Sequence, residues 1–152
     1  MEIKSIAKMF LDSSNNYASK ELFFYKDSGR WNGITGKEVN STVKDISFAL
    51  KSLGIGSGDH IAIQSNNSPM WAMSDYGIIC TGAATVSIYP TLIASQIKYI
   101  INNSHSKAVF VENKLQLEKI QSILPDCPSI KAIIVMDMNY TPNGDILYGI
   151  KD

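Results

Sequence analysis

Four short apolar segments, centred near Ile63, Ser87, Phe110 and Val135, recur at intervals of 24, 23 and 25 residues. Each interval holds a block with helical periodicity: SPMWAMSDYGIICTG, LIASQIKYIINNS and NKLQLEKIQSIL. Antiparallel neighbours can be joined by a two-residue turn, whereas parallel strands need a crossover of about a dozen residues or more, and such crossovers are right-handed. The rhythm therefore predicts an α/β domain, a parallel sheet flanked by helices on both faces. The segments AVFVE and AIIVMD are nearly continuous in apolar residues, as strands covered on both sides must be. A chain of 152 residues can bury roughly 70% of its unfolded surface, enough for one core and too little for two ordinary domains. We therefore expect residues 1–152 to form one unit: a helix and hairpin over 1–35, βα repeats over 36–137, and a tail over 138–152.

Local signals mark the elements. Ile3, Ile6, Ala7, Phe10 and Leu11 share one stripe and predict an opening helix that packs onto the domain. ELFFYKDSGRWNGIT reads as two strands around an Asp-Ser-Gly turn, a hairpin serving as a lid or an edge. In GKEVNSTVKDISFALKSLG, Val39, Val43, Ile46, Ala49, Leu50 and Leu53 fall on one helical face, and Gly54 stands where a left-handed residue ends a helix most cheaply. Ser68-Pro69 and Asn113 are N-cap signals. The helix Pro69 to Thr81 is apolar on nearly all sides, so it is expected inside a larger body, with the 152 residues forming a fragment of it. The tail has a turn at Pro142, Asn143 and Gly144 and is expected to end without a strand that completes the rhythm.

Charge and composition exclude several functions. Lys plus Arg and Asp plus Glu are each 14, so the chain has no positive field of the kind that nucleic acid binding uses. The N-terminus lacks the apolar core and cleavage site of a secretory signal, and no apolar run is long enough to predict a transmembrane segment. We expect a cytoplasmic protein. Cys80 and Cys127 fit neither a CxxC pair nor a zinc half-site and are read as two reduced thiols.

A search for chemistry yields little. The sequence holds no GxxxxGK[ST], no GxGxxG between strand and helix, no GxSxG and no HExxH. The glycines of GIGSGDH precede a strand, not a helix, and so read as a turn. His60 and His105 stand 45 residues apart and read as surface histidines. Asp137 ends a predicted strand, where open α/β sheets place functional groups, and is read as capping a turn. Among Trp31, Trp71, Tyr76, Tyr89 and Tyr99, core filling is the expectation for all but Tyr89. Tyr89 lies beside Pro90 at the carboxyl edge of a parallel strand and is a weak substrate-binding candidate. In a flavodoxin-like alternative, Ser65, Asn66, Asn67 and Ser68 would hold an anion at a helix N-terminus.

The motifs also stand in a familiar order. ITGKEV at residues 34–39, GSGDHIAIQSNNSPMW, and CTGAATVSIYPTL from Cys80 to Leu92 together resemble the N-terminal part of the adenylate-forming enzymes, a superfamily including acyl-CoA synthetases, luciferases and peptide-synthetase adenylation domains. The IYPT segment is most similar to the long-chain fatty acid CoA ligase branch. Gly36, His60 and Ser87 depart from the family pattern, standing where Tyr, Arg and Pro are usual. The resemblance implies an enzyme that activates a fatty acid with ATP and Mg2+ and passes the acyl group to the thiol of CoA. The family's Ser/Thr/Gly-rich phosphate loop ending in Pro-Lys-Gly does not occur in this sequence. The resemblance therefore implies no catalytic, cofactor-binding or metal residues within the chain, and no cofactor bound to it. A catalytically silent part of a ligase, peripheral to a membrane when full length and self-associating in isolation, is one expectation. A natural short binding or assembly module built on the same scaffold is the alternative.

Overall fold

The computed structural model describes residues 5–151. Helix α1 (Ile6–Asn16) is followed by the strands β1 (Glu21–Asp27) and β2 (Arg30–Thr35), then α2 (Gly36–Ser52), β3 (His60–Gln64), α3 (Pro69–Thr81) and β4 (Ala84–Ile88). Next come α4 (Ala94–Ser104), β5 (Ala108–Val111), α5 (Lys114–Ile123), β6 (Ala132–Val135) and β7 (Leu147–Gly149). Ile3 of the expected opening stripe lies outside the described residues. Ile6 is 59% exposed, so Phe10 rather than the whole stripe anchors α1, its ring stacked on Tyr76 with centroids 4.0 Å apart.

The sheet has the order β4-β3-β5-β6-β7, and every pairing is parallel. This is the α/β architecture that the rhythm predicts. Alternation along the strands sends Ala62, Val109, Val111, Ile133 and Val135 to one face, where Ile97 and Ile101 of α4 and Leu117, Ile120 and Ile123 of α5 cover them. Ile61, Ile63, Phe110 and Ile134 face the other way, toward Ile46 and Leu50 of α2 and Ile78 of α3. A third cluster of Phe10, Val39, Val43 and Met73 ties α1 and the hairpin to this body. No residue of α3 is exposed, as its all-round apolar character requires.

Four expectations need correction. Ala49 is exposed, because the stripe of α2 narrows to Val39, Val43, Ile46 and Leu50 where the helix meets α3 and the sheet. Trp31 and Tyr99 do not fill the core: they are 71% and 69% exposed, since no described element lies over the outer side of the hairpin or of α4. The tail does contribute a strand, β7, in parallel register with β6 through Ile133↔Leu147 and Val135↔Gly149.

Turn chemistry accounts for the connections. Ser28 and Gly29 have φ of 49° and 82°, the two positive values that a tight hairpin turn between twisted strands demands. After α2, the Gly54 N–H donates to the Lys51 carbonyl at 3.0 Å and the Ile55 N–H to the Leu50 carbonyl at 3.0 Å. That paired closure uses a left-handed residue, and Gly54 has φ of 70°.

Candidate functional site

β3 has β4 on one side and β5 on the other, so the chain changes direction across the sheet between them. In open α/β sheets the crevice outside the carboxyl ends of two such strands is where ligands bind. Here it lies between the loop 65–68, leading into α3, and residues 112–113, leading into α5. Ser68 and Asn113 cap these helices, accepting from the N–H groups of Trp71 and Gln116 at 3.0 and 3.2 Å.

The crevice is already bridged. Glu112 Oε2 accepts from the backbone N–H of Asn66 at 3.0 Å and from its side-chain Nδ2 at 2.8 Å. A carboxylate therefore occupies the donors that an anionic ligand would need, and it would repel a phosphate placed there. Ser65 Oγ donates to the Asn66 carbonyl at 2.7 Å, which further knits the loop. Beneath it, Gln64 Nε2 donates to Gln116 Oε1 at 2.9 Å, both side chains being buried. These contacts join β3 to α5 across 52 residues of sequence.

Beside this crevice, Tyr89 follows the last residue of β4 and is 77% exposed. Its loop is held from α5: Lys119 Nζ donates to the Pro90 carbonyl at 2.6 Å and to the Leu92 carbonyl at 3.2 Å. Tyr89 therefore stands on an anchored loop at the carboxyl edge. His60 lies at the opposite, amino end of β3, and His105 caps α4 with φ of 51°, two residues before Lys107, whose N–H donates to the His60 carbonyl at 2.8 Å; both histidines are exposed at that edge, away from the crevice. Asp137 Oδ1 accepts from the Asn139 N–H at 2.9 Å, the turn-capping role expected of it. Glu112, Lys119 and the Gln64–Gln116 pair carry no sequence signal, because spacing along the chain does not reveal which strands become neighbours.

The two motif glycine segments serve each other. Gly82 ends α3 with φ of 88°, and a Cβ there would come within 3.1 Å of the Ser57 Cβ. The Gly58 N–H donates to the Gly82 carbonyl at 3.3 Å, and the Gly56 N–H to Asp59 Oδ2 at 3.0 Å. The Gly-rich stretch is thus a packed turn at the amino end of the sheet, with these amides partnered inside the chain. In ITGKEV, Thr35 and Glu38 form a reciprocal cap: the Thr35 N–H donates to Glu38 Oε2 at 2.8 Å, and the Glu38 N–H donates to Thr35 Oγ1 at 3.3 Å. The spacing Thr-x-x-Glu is a readable capping signal. At the position where the family pattern has Tyr, Gly36 lies against the end of α1, and a Cβ would sit 2.6 Å from the Tyr17 carbonyl oxygen.

Residues 10–151 match the AMP-binding enzyme family. The chain belongs to that family. Two relatives bear fatty acyl names. A fatty acyl-CoA synthetase A of Dictyostelium discoideum is 34% identical over 127 residues, which is 83% of this chain and 19% of the relative. A long-chain fatty acid CoA ligase of Rattus norvegicus is 28% identical over 149 residues, 97% of this chain and 22% of the relative. The chain thus spans about a fifth of the length of these curated relatives. Among solved structures, an acetoacetyl-CoA synthetase from Streptomyces lividans superposes with a TM-score of 0.84 at 16% identity, over 95% of this chain and 24% of that one. That likeness concerns the fold.

The family implies use of ATP, yet neither the glycine turn nor the crevice between β3 and β5 is arranged to hold a triphosphate. The glycine amides and the Asn66 amide have partners, and Glu112 presents negative charge at the switch crevice. Among the described residues no three His, Cys, Asp or Glu side chains are grouped to hold a metal ion. No described helix is long and apolar enough to cross a membrane.

Proposed function

We propose that this chain is the N-terminal scaffold of an ATP-dependent long-chain fatty acid CoA ligase, with carboxylate adenylation and thioester formation, and with them Mg2+ and CoA, handled by residues outside it. The observation that carries this reading is the family match along nearly the whole chain together with relatives named as fatty acyl-CoA ligases. The partnered amides of the Gly-rich turn and the Glu112 bridge support the assignment of the phosphate chemistry elsewhere. In this reading the 152 residues alone are catalytically silent, and Tyr89 meets the acyl substrate from the carboxyl edge of the sheet. The protein works in the cytoplasm and at membrane surfaces.

Incubation of the 152-residue chain with ATP, Mg2+ and palmitate should release no pyrophosphate. Release at rates above a boiled control would overturn the division of labour. A cleft of about 550 Å3 between α2 and the β6–β7 edge, whose accessible lining includes Ala49, Leu53, Met138, Tyr148 and Ile150, supports self-association of the isolated chain through apolar surface. Light scattering should detect dimers or larger species, and a monomer at high concentration would refute that part.

A further inference from the structure

The β1–β2 hairpin has two unlike faces. Phe23 and Ile34 are cross-strand partners and pack inward on the cluster of Phe10, Val39, Val43 and Met73. Alternation then turns Phe24, Lys26 and Trp31 to the opposite side, where Lys26 is paired with Trp31 and Phe24 with Gly33. Every residue from Phe24 to Trp31 is exposed, so the outer half of the ribbon projects from the domain. Trp31 is 71% exposed and Phe24 55%. The outward carboxylate, Glu21, lies folded over Gly33 at the base of the ribbon, while Asp27 and Arg30 face each other across the turn. Lys26 therefore leaves the distal part of the outward face positive, and it has no ion-pair partner among the described residues.

We infer that this outward face seats the protein on a phospholipid surface, with Trp31 and Phe24 entering the headgroup layer and Lys26 reaching a phosphate. An indole ring with its polar N–H, next to a long cationic stem, is the combination that settles at a membrane interface. The area argues against a protein partner. Each large aromatic buries at most about 150–250 Å2, so the two together fall well short of the roughly 800 Å2 per side that a stable protein interface requires. A protruding tip can enter a headgroup layer without the rest of the domain. The inference rests on the ligase reading for its purpose, since long-chain fatty acids partition into bilayers and an enzyme that consumes them gains by being there.

The test is co-sedimentation of the 152-residue chain with phosphatidylcholine vesicles, with and without an anionic phosphatidylglycerol fraction, in the absence of fatty acid and ATP. The chain should sediment with vesicles, more so with the anionic ones. Phe24→Ser with Trp31→Ser should lower partition by at least about tenfold. Lys26→Gln should lower binding to the anionic vesicles by about fivefold and leave the neutral ones little changed. Brominated lipids should quench tryptophan fluorescence in the parent and not in Trp31→Phe. Phe48 and Tyr99 are comparably exposed at 68% and 69%, so Phe48→Ser and Tyr99→Ser serve as controls and should bind as the parent does. A parent that stays in the supernatant, or controls that lose as much binding as the hairpin variants, overturns the inference. So does a hairpin variant that binds vesicles normally but no longer self-associates, which would assign the face to a second copy. Because no substrate is present, failure here leaves the ligase reading standing, and failure of ligase activity leaves vesicle binding untouched.

Discussion

Gly36→Ala probes the contact that joins the opening helix to the rest of the domain. An added Cβ would lie 2.6 Å from the Tyr17 carbonyl oxygen, 2.8 Å from the Ser14 carbonyl oxygen and 3.0 Å from the Tyr17 carbonyl carbon. All three are main-chain atoms, so no side-chain rotation relieves the overlap and the segment following α1 must move. That segment also receives the first N–H groups of α2, from Gly36 to the Lys20 carbonyl and from Lys37 to the Ala18 carbonyl, each at 2.9 Å. Overpacking costs about 1–3 kcal/mol, and each weakened hydrogen bond up to about 1 kcal/mol. The helix preference of Ala over Gly returns at most about 1 kcal/mol. The balance is a loss of roughly 2–3 kcal/mol, or a fall of roughly 4–12 °C in Tm for a domain of this size. Urea unfolding followed by circular dichroism measures it, with Gly54→Ala as the comparison. Gly54 has φ of 70° but nothing within 4 Å of an added Cβ, so its cost is the backbone conformation alone, about 1 kcal/mol. If Gly36→Ala matched the parent within about 0.5 kcal/mol, the close approach of α1 to α2 would not exist in solution.

Thr35→Ala should cost about 1 kcal/mol through loss of the α2 cap. The Thr35 hydroxyl, and after it the Thr35 backbone N–H, hold the Glu38 carboxyl below its ordinary range. That stabilisation is present above the ordinary carboxylate pKa and is lost as pH falls through the depressed value, so the gap between parent and Thr35→Ala in urea midpoint should narrow in acid; a gap that widens contradicts the cap. Lys119→Met should speed amide exchange of residues 91–93 by about tenfold while changing global stability little, because it releases the Pro90 and Leu92 carbonyls. Unchanged exchange by mass spectrometry would mean that the loop is held by other contacts. Burial pushes both thiols up, with a nearby Lys51 partly offsetting it at Cys80, and Asp126 adding to it at Cys127. Iodoacetamide should therefore label the folded chain at neutral pH more slowly than a thiol peptide. Since the folded thiols hold their protons more tightly, stability should decline as pH rises through and beyond the ordinary thiol range; labelling at the peptide rate would refute the burial.

The βα units were legible because each helix and each covered strand carries its own pattern, as in KLQLEKIQSIL and AIIV. β7 was not, since Leu147–Gly149 spans three residues and includes a glycine; its extended form comes from pairing with β6. Trp31 and Tyr99 misled for a related reason: an aromatic side chain is apolar wherever it stands, and exposure depends on whether another element covers it. The candidate edge was legible at Tyr89, where a strand runs into Pro90. The Glu112–Asn66 bridge was not, because it spans 46 residues and arises from strand order, about which periodicity is silent. The Gly36 departure acquires a reason only when the end of α1 is seen against it.

The sheet order has a consequence during synthesis. β3 completes one lateral pairing with β4, but its second neighbour, β5, is still unmade when residue 88 leaves the ribosome. At about 5–20 residues per second, the other flank of β3 waits roughly 1–5 seconds for residue 111 to emerge. During that interval a row of bare amide and carbonyl groups bordering Ile61 and Ile63 is available to neighbouring nascent chains. Slowing elongation between those codons should raise aggregation of this protein more than the same delay placed after residue 135.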